Sequence, residues 1–187
     1  MKISIRDRNP EFVAAAVPIF EGTDISVSLG SVVGQPAGAV VSPANSFGFM
    51  DGGVDYAYSM FFGWELQAEV QRRIWHERFS ELLVGQAIAV ATKHPIIPML
   101  IVAPTMRVPK AILDPADVML ATRAAVRIAK EFSIDSIVFP GMGTGCGQVR
   151  FDVAALAMRS GCNLGNHEAA FPTSWREAQN RHFNLKG

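Results

Sequence analysis

The chain has 187 residues, of which 49% are hydrophobic, and this length suits one domain with a sizeable core better than two small domains. Lys plus Arg and Asp plus Glu both number 17, so the chain lacks the net positive charge typical of proteins that bind duplex DNA. No stretch reaches the roughly 18 apolar residues of a membrane span, and the two cysteines cannot build a disulfide framework, so we expect a cytoplasmic protein without a membrane partner.

Strand-like and helix-like patterns alternate through the first half of the chain. Apolar and polar residues alternate at 3–5 and 25–29, which predicts two strands, and the apolar run at 39–41 predicts a third, buried strand. Between the first two strands, Asn-Pro at the start of residues 9–17 predicts a short helix with proline at its first position. A stripe of apolar residues predicts a longer helix from Glu65 to about Phe79.

The second half of the chain continues the alternation. Two strands are predicted at 87–91 and 99–103, and a helix with a buried stripe is predicted at 114–132. A last apolar strand follows at 136–140, and residues 151–158 have the composition of a helix. This order of elements predicts an α/β fold.

Two polar, glycine-containing loops follow buried strands. The first runs from Ser42-Pro43-Ala44-Asn45 to Asp51-Gly52-Gly53-Val54-Asp55, and the second is Gly141-Met142-Gly143-Thr144-Gly145-Cys146-Gly147. Glycines let a ligand approach the backbone, and the free N–H groups of a helix's first turn bind anions. Because open α/β sheets bind ligands at the carboxyl ends of their strands, we expect both loops to face one crevice.

Together these loops resemble the macrodomain family, which binds ADP-ribose and related nucleotides. Over residues 20–158, the first loop matches the family's Asn-Ala-Ala-Asn and Gly-Gly-Gly-Val pattern, and Phe139-Pro140 through Gly147 matches its phosphate loop. The segment from Phe47 to Gly53 is similar to a divergent bacterial branch. The resemblance implies a three-layer α/β/α sandwich with a mixed, mostly parallel central sheet. We expect one domain over residues 1–160 and a packed or partly disordered tail over 161–187.

The resemblance also implies a role for each loop residue. Asn45 would hold the distal ribose, and Asp55 aligns with the acid that activates a water in the hydrolytic branches, so these two are the catalytic candidates. Ser31 falls where the family carries the acid that reads adenine. The remaining ligand-binding candidates would surround the diphosphate; they are Ser42, Ala44, Asp51, Gly52, Gly53, Val54, Gly141, Gly143, Thr144, Gly145, Cys146 and Gly147. No metal or cofactor is implied.

Several residues depart from the family pattern. Ser42 and Pro43 replace Asn and Ala, and Asp51 replaces a glycine, where its carboxylate would disfavour a nearby diphosphate unless it points away or binds a cation. Counting back from the first loop without a gap places Ser31 at the adenine position, whereas Asp24 fits only with extra residues. These departures weaken the claim on adenine.

Simpler interpretations of single residues stay open. Asp55 favours a helix's first turn and fits a capping role about as well as a catalytic one. Cys146 is interpreted as a small buried residue, since no motif places a histidine beside it. The four histidines are scattered without metal-ligand spacing.

Two classes of function therefore remain. The first is a hydrolase of ADP-ribosylated protein, or of an ADP-ribose ester or 1''-phosphate, and the second is a binding or sensing module for a nucleotide or phosphorylated metabolite. A crevice-facing Asp55 beside Asn45 would favour catalysis, and an Asp55 that is a buried helix cap would favour binding. Single-stranded RNA binding is a weaker possibility, indicated by Arg72, Arg73 and Trp75.

Overall fold

The computed structural model describes residues 1–77, 80–167 and 171–183, and in this part of the chain one six-stranded sheet carries helices on both faces. The elements in chain order are β1 (Lys2–Asp7), α1 (Pro10–Phe20), β2 (Ser26–Leu29), β3 (Ala39–Ser42), α2 (Gly53–Phe62), α3 (Glu65–Glu77), β4 (Ile88–Ala91), β5 (Met99–Val102), α4 (Ala116–Glu131), β6 (Ser136–Phe139), α5 (Phe151–Asn166) and α6 (Trp175–Phe183).

The sheet has the strand order β2-β1-β6-β3-β5-β4. Neighbouring strands pair in parallel except β4 and β5, which are antiparallel, so the predicted mixed, mostly parallel sheet is confirmed. The chain passes outward from β1 to β2 on one side of the sheet. On the other side it passes from β3 to the edge strand β4, returns to β5 beside β3, and then inserts β6 between β1 and β3. The carboxyl ends of β1, β6 and β3 therefore meet where the direction reverses, which is where open α/β sheets form a ligand crevice.

Strand β3 shows how the two faces of the sheet are packed. Successive side chains of a strand point to opposite faces, so Ala39 and Val41 join the core under α1, α4 and α5, while Val40 joins the core under α2 and α3. The strand is buried along its whole length. These two cores confirm the three-layer α/β/α arrangement.

Glycines bring α4 and α5 into close contact. A Cβ at Gly161 would lie 2.6 Å from the Met119 carbonyl oxygen, and one at Gly165 would lie 2.6 Å from the Val126 Cβ. Glycine lowers helix propensity, but here it is required because no side chain fits between the helices. Helix α5 thus continues to Asn166, beyond residue 160, and the division of the chain at that residue stays a prediction.

The helix ends differ modestly from the predicted ones. Helix α1 continues past Val17 to Phe20, whose ring is 3% exposed and anchors the last turn in the core. Helix α3 ends at Glu77 in the structure, and the predicted end near Phe79 lies outside the described residues. No helix in the described ranges is long and apolar enough to cross a membrane.

Candidate functional site

A cleft of about 570 Å³ runs along the carboxyl ends of the strands, from the end of β2 to the end of β5. This volume lies within the range of small-molecule sites in proteins. The cleft is lined by every predicted ligand-binding or catalytic residue except Ser42; these are Ser31, Ala44, Asn45, Asp51, Gly52, Gly53, Val54, Asp55, Gly141, Gly143, Thr144, Gly145, Cys146 and Gly147.

Ser42 lies beneath the cleft surface. Its side chain is 1% exposed, and its hydroxyl donates a hydrogen bond of 2.5 Å to Asp55 Oδ1. The same oxygen of Ser42 accepts a hydrogen bond of 3.3 Å from the Ala44 backbone N–H. Ser42 therefore connects the end of β3 to the first turn of α2. Its prediction as a ligand contact requires it to line the cleft, and it does not.

Asp55 borders the cleft from a buried position. It is 8% exposed, and burial raises the pKa of its carboxyl from the usual 3.8 to about 7, while the hydrogen bond from Ser42 lowers it. The residue at the helix's N-cap is Gly52, which has no capping side chain. Asp55 thus lines the cleft from a buried position and is not the buried helix cap that would favour binding alone.

Asn45 organises the loop that follows it. Its Oδ1 accepts hydrogen bonds of 3.1 Å from Phe47 N–H and 3.3 Å from Phe49 N–H, and its Nδ2 donates one of 2.8 Å to the Phe49 carbonyl. These bonds hold Phe49, which is 54% exposed, at the cleft. The side chain of Asn45 thus has three hydrogen bonds within its own loop. The ribose contact implied for Asn45 stays a prediction.

The end of this loop is fixed to α2 and α3. The Met50 backbone N–H donates a 2.7 Å hydrogen bond to Gln67 Oε1, and the Met50 carbonyl accepts one of 2.8 Å from Ser59 Oγ. Gly48 has a φ of +71°, and a Cβ there would lie 2.8 Å from Val70 Cγ1. The first wall of the cleft is therefore a packed structure, which favours a preformed site.

The glycines of the two loops fall into two groups. A Cβ at Gly143 would lie 2.7 Å from Val118 Cγ2, and one at Gly147 would lie 2.5 Å from the Gly143 carbonyl oxygen, so the fold itself requires these glycines. A Cβ at Gly52, Gly53 or Gly145 would have no heavy atom within 4 Å. The space at these positions is free for a ligand to approach the backbone.

The second loop is attached to the end of β1. Asp7 Oδ2 accepts a hydrogen bond of 2.8 Å from the Gly141 N–H, and Thr144 Oγ1 donates one of 3.0 Å to the Gly141 carbonyl. Cys146 is exposed in the cleft, so its interpretation as a buried residue was wrong. The buried cysteine is Cys162, where burial raises the pKa of the thiol to about 12.

Sequence reasoning missed the cleft residues at the carboxyl ends of β1 and β5. Arg6, Arg8 and Asn9 line one end of the cleft, and Thr105 and Met106 line the other. Each set lies at or just beyond the carboxyl end of a strand, but only the strand order shows that these ends adjoin the two loops.

The structure also distinguishes the two candidates for the adenine position. Ser31 follows the carboxyl end of β2 and lines the cleft, whereas Asp24 precedes β2 and lies outside the lining. No group of three or more His, Cys, Asp or Glu side chains that could hold a metal ion occurs among the described residues.

The predicted RNA contacts are engaged elsewhere. Arg72 forms an ion pair of 2.6 Å with Glu69, and Arg73 forms one of 2.6 Å with Glu77. The adjacent Trp75 is 66% exposed. These contacts reduce the positive charge that a single strand of nucleic acid would require.

The burial of Asp55 predicts a pH-dependent stability. Because the folded chain, with a pKa of about 7, holds this proton more tightly than the unfolded chain, the stabilisation is present below about pH 4 and is lost as the pH rises toward 7. The amide of Asp55→Asn cannot ionise, so this variant should not lose stability in this way. Between about pH 4 and pH 7 the wild type should lose on the order of 4 kcal/mol more unfolding free energy than Asp55→Asn. Urea denaturation of both proteins across this pH range measures it.

The control is Asp51→Asn, which removes an exposed carboxylate from the same loop and should leave the pH profile of the wild type unchanged. Profiles of wild type and Asp55→Asn that run parallel from acid to neutral pH would contradict the raised pKa.

Comparison with known proteins relates this cleft to a family. An uncharacterized protein of Aquifex aeolicus is 36% identical to the chain over 135 residues, which cover 72% of this chain and 78% of that protein. A mutant Oceanobacillus iheyensis macrodomain with ADPR has a TM-score of 0.65 at 20% identity, covering 84% of this chain and 89% of that one. Thermosipho africanus DarTG in complex with ADP-ribose has a TM-score of 0.62 at 16% identity, covering 76% of this chain and 38% of that one.

These two structural likenesses show the fold. The family model described as Macro domain matches residues 41–158, which include both loops of the cleft and make up more than half of the chain. The chain therefore belongs to the Macro domain family.

Proposed function

We propose that the protein binds ADP-ribose, or a closely related phosphorylated nucleotide, in the cleft between the two loops. One observation carries this proposal: Gly52, Gly53 and Gly145, on opposite loops, line the same cleft with free space where their side chains would stand. The structurally similar Oceanobacillus iheyensis mutant and Thermosipho africanus DarTG, which were solved with ADPR and ADP-ribose, support it.

The electrostatics of the first turn of α2 favour a diphosphate. The first N–H groups of a helix have no partner within the helix and carry a partial positive charge, and here Gly53 and Val54 supply them at the cleft. The opposing charge is the exposed Asp51 carboxylate in the same lining. Because the helix N–H groups attract the diphosphate and the Asp51 carboxylate repels it, we expect a dissociation constant in the micromolar range or weaker.

The ligand reaches the protein free or as part of a larger molecule. An ADP-ribosylated protein is the larger partner that we propose, because the cleft is open at the surface and Phe49 stands exposed at its edge. We place the protein in the cytoplasm and without duplex DNA or a membrane as partners. The balanced charge and the two unpaired cysteines support this placement.

Binding is tested by calorimetric titration with ADP-ribose, for which we expect a 1:1 complex. Gly145→Ala adds one methyl group where the ligand would meet the backbone, and it should weaken binding by about tenfold or more, a loss of about 1.4 kcal/mol. The melting temperature without ligand should not change, because the new Cβ contacts nothing. Gln148→Ala, an exposed change immediately after the same loop and outside the cleft lining, is the matched control.

No heat with ADP-ribose, together with no thermal shift from a panel of nucleotides, would remove the proposed function. Equal affinity of the wild type and Gly145→Ala would place the ligand elsewhere on the protein.

Hydrolysis of an ADP-ribosyl bond is a second candidate function, favoured by the position of Asp55. A carboxyl that borders the cleft with a pKa of about 7 is suited to exchange protons near neutral pH. Its carboxylate would accept a proton from water as the water oxygen bonds to the anomeric carbon. The bond to the leaving group would break, and the proton would pass to the departing oxygen.

This candidate predicts that Asp55→Asn abolishes release of ADP-ribose from a modified protein while the variant still binds ADP-ribose. The wild-type rate should rise through about pH 7 as the carboxyl ionises. Asn45→Ala should also lose turnover. Because the Asn45 side chain also holds its own loop, the melting temperature of this variant is measured as a control for loss of structure. Turnover by Asp55→Asn at the wild-type rate would exclude Asp55 as the base, and a wild type that binds without releasing product would be a binding module.

A further inference from the structure

The end of the cleft next to β1 and β2 carries two arginines. The Arg6 guanidinium lies over the backbone of Gly30, where an added Cβ would stand 2.8 Å from both Nε and Nη2. Arg6 Nε is buried and has no hydrogen-bond partner among the described residues. Arg8 Nη2 donates a hydrogen bond of 3.3 Å to Ser31 Oγ. Arg6, Arg8 and Ser31 together are called the arginine end of the cleft.

The guanidinium groups of the arginine end have no negatively charged side chain paired with them among the described residues. In the described ranges, neither Arg6 nor Arg8 has a carboxylate oxygen within 4.0 Å of its guanidinium. The nearby acid, Asp7, uses Oδ1 to accept the Asn9 N–H and Oδ2 to accept the Gly141 N–H, each at 2.8 Å. Both oxygens of Asp7 therefore accept hydrogen bonds from backbone N–H groups and not from the arginines.

A buried N–H group without a partner is unfavourable, and the guanidinium to which Arg6 Nε belongs lines the cleft without a carboxylate to neutralise it. This end of the cleft therefore favours a ligand that brings a hydrogen-bond acceptor. A guanidinium donates through a planar fork of N–H groups and has no acceptor of its own. It can hold the O6 and N7 atoms of a keto purine together, or two oxygens of a phosphate. Adenine has an amino donor where a keto purine has O6, so it offers the guanidinium only the N7 acceptor of this pair.

We propose that the arginine end binds an oxygen acceptor of the nucleotide, so that the preferred ligand carries a keto purine, or a phosphate on the nucleoside ribose, where ADP-ribose has its adenosine. This inference rests on the proposed function, because it requires the diphosphate to lie between the two glycine loops. It specifies which relative of ADP-ribose the cleft selects.

The test compares three ligands by calorimetric titration of the wild type. They are ADP-ribose, IDP-ribose, in which the amino group of adenine is replaced by a carbonyl oxygen, and ADP-ribose 2'-phosphate. We expect at least one of the latter two to bind about tenfold more tightly than ADP-ribose. Tighter IDP-ribose identifies the acceptor as a base oxygen, and tighter ADP-ribose 2'-phosphate identifies it as a phosphate.

Variants at the arginine end show whether the named residues cause the preference. Arg6→Gln should bring the ratio of dissociation constants for ADP-ribose and the preferred ligand close to one. Ser31→Asp should shift the ratio toward ADP-ribose, since a carboxylate accepts from an amino group and repels a phosphate. Arg127→Gln removes the same charge from an exposed position on α4 and should keep the wild-type ratio.

Three results would overturn the inference. Equal or tighter binding of ADP-ribose relative to both other ligands would overturn it while leaving the proposed function intact, and binding of none of the three would overturn both. A wild-type ratio that persists in folded Arg6→Gln and in Ser31→Asp would also contradict the assignment to these residues.

Discussion

The hydrogen bond between Ser42 and Asp55 is the constraint on which the first wall of the site depends. It joins the last residue of β3 to the first turn of α2, and so it fixes where Gly52 and Gly53 stand relative to the sheet. A buried carboxyl is tolerated there because a hydroxyl donates to it, and the remaining cost appears as its raised pKa. A second acid, Asp7, does the same for the other wall by accepting the Gly141 N–H.

In each wall a carboxyl oxygen fixes a segment that presents glycines to the cleft: Asp55 accepts from the Ser42 hydroxyl, and Asp7 accepts from the Gly141 backbone N–H. The glycines have two different roles. Gly143 and Gly147 allow the second loop to fold tightly, whereas Gly52 and Gly145 leave space for a ligand. A cleft built in this way is fixed before its ligand arrives, which reduces the ordering cost of binding. The chemistry of the ligand is then decided at the two ends of the cleft.

The sequence predicted most of the elements because each of these has a local periodicity, whereas α6 falls in the segment 161–187 that was predicted only as a tail. The two loops were predicted because both follow buried strands. Helix α5 was predicted too short, since Gly161 and Gly165 are poor helix formers and their packing against α4 is a tertiary contact. The burial of Ser42 and the internal hydrogen bonds of Asn45 depend on three-dimensional partners. The arginine end required the position of β1 beside β2, which no local pattern contains.

A crystal structure with ADP-ribose tests the central claim most directly, namely that the two glycine loops hold a diphosphate between them. The account predicts diphosphate oxygens within about 3.2 Å of the backbone N–H groups of Gly53 or Val54 on one side and of Gly145 or Cys146 on the other. It also predicts that the Ser42 to Asp55 hydrogen bond stays in place. A diphosphate bound outside the cleft, or a cleft that stays empty while ADP-ribose occupies another surface, would contradict it.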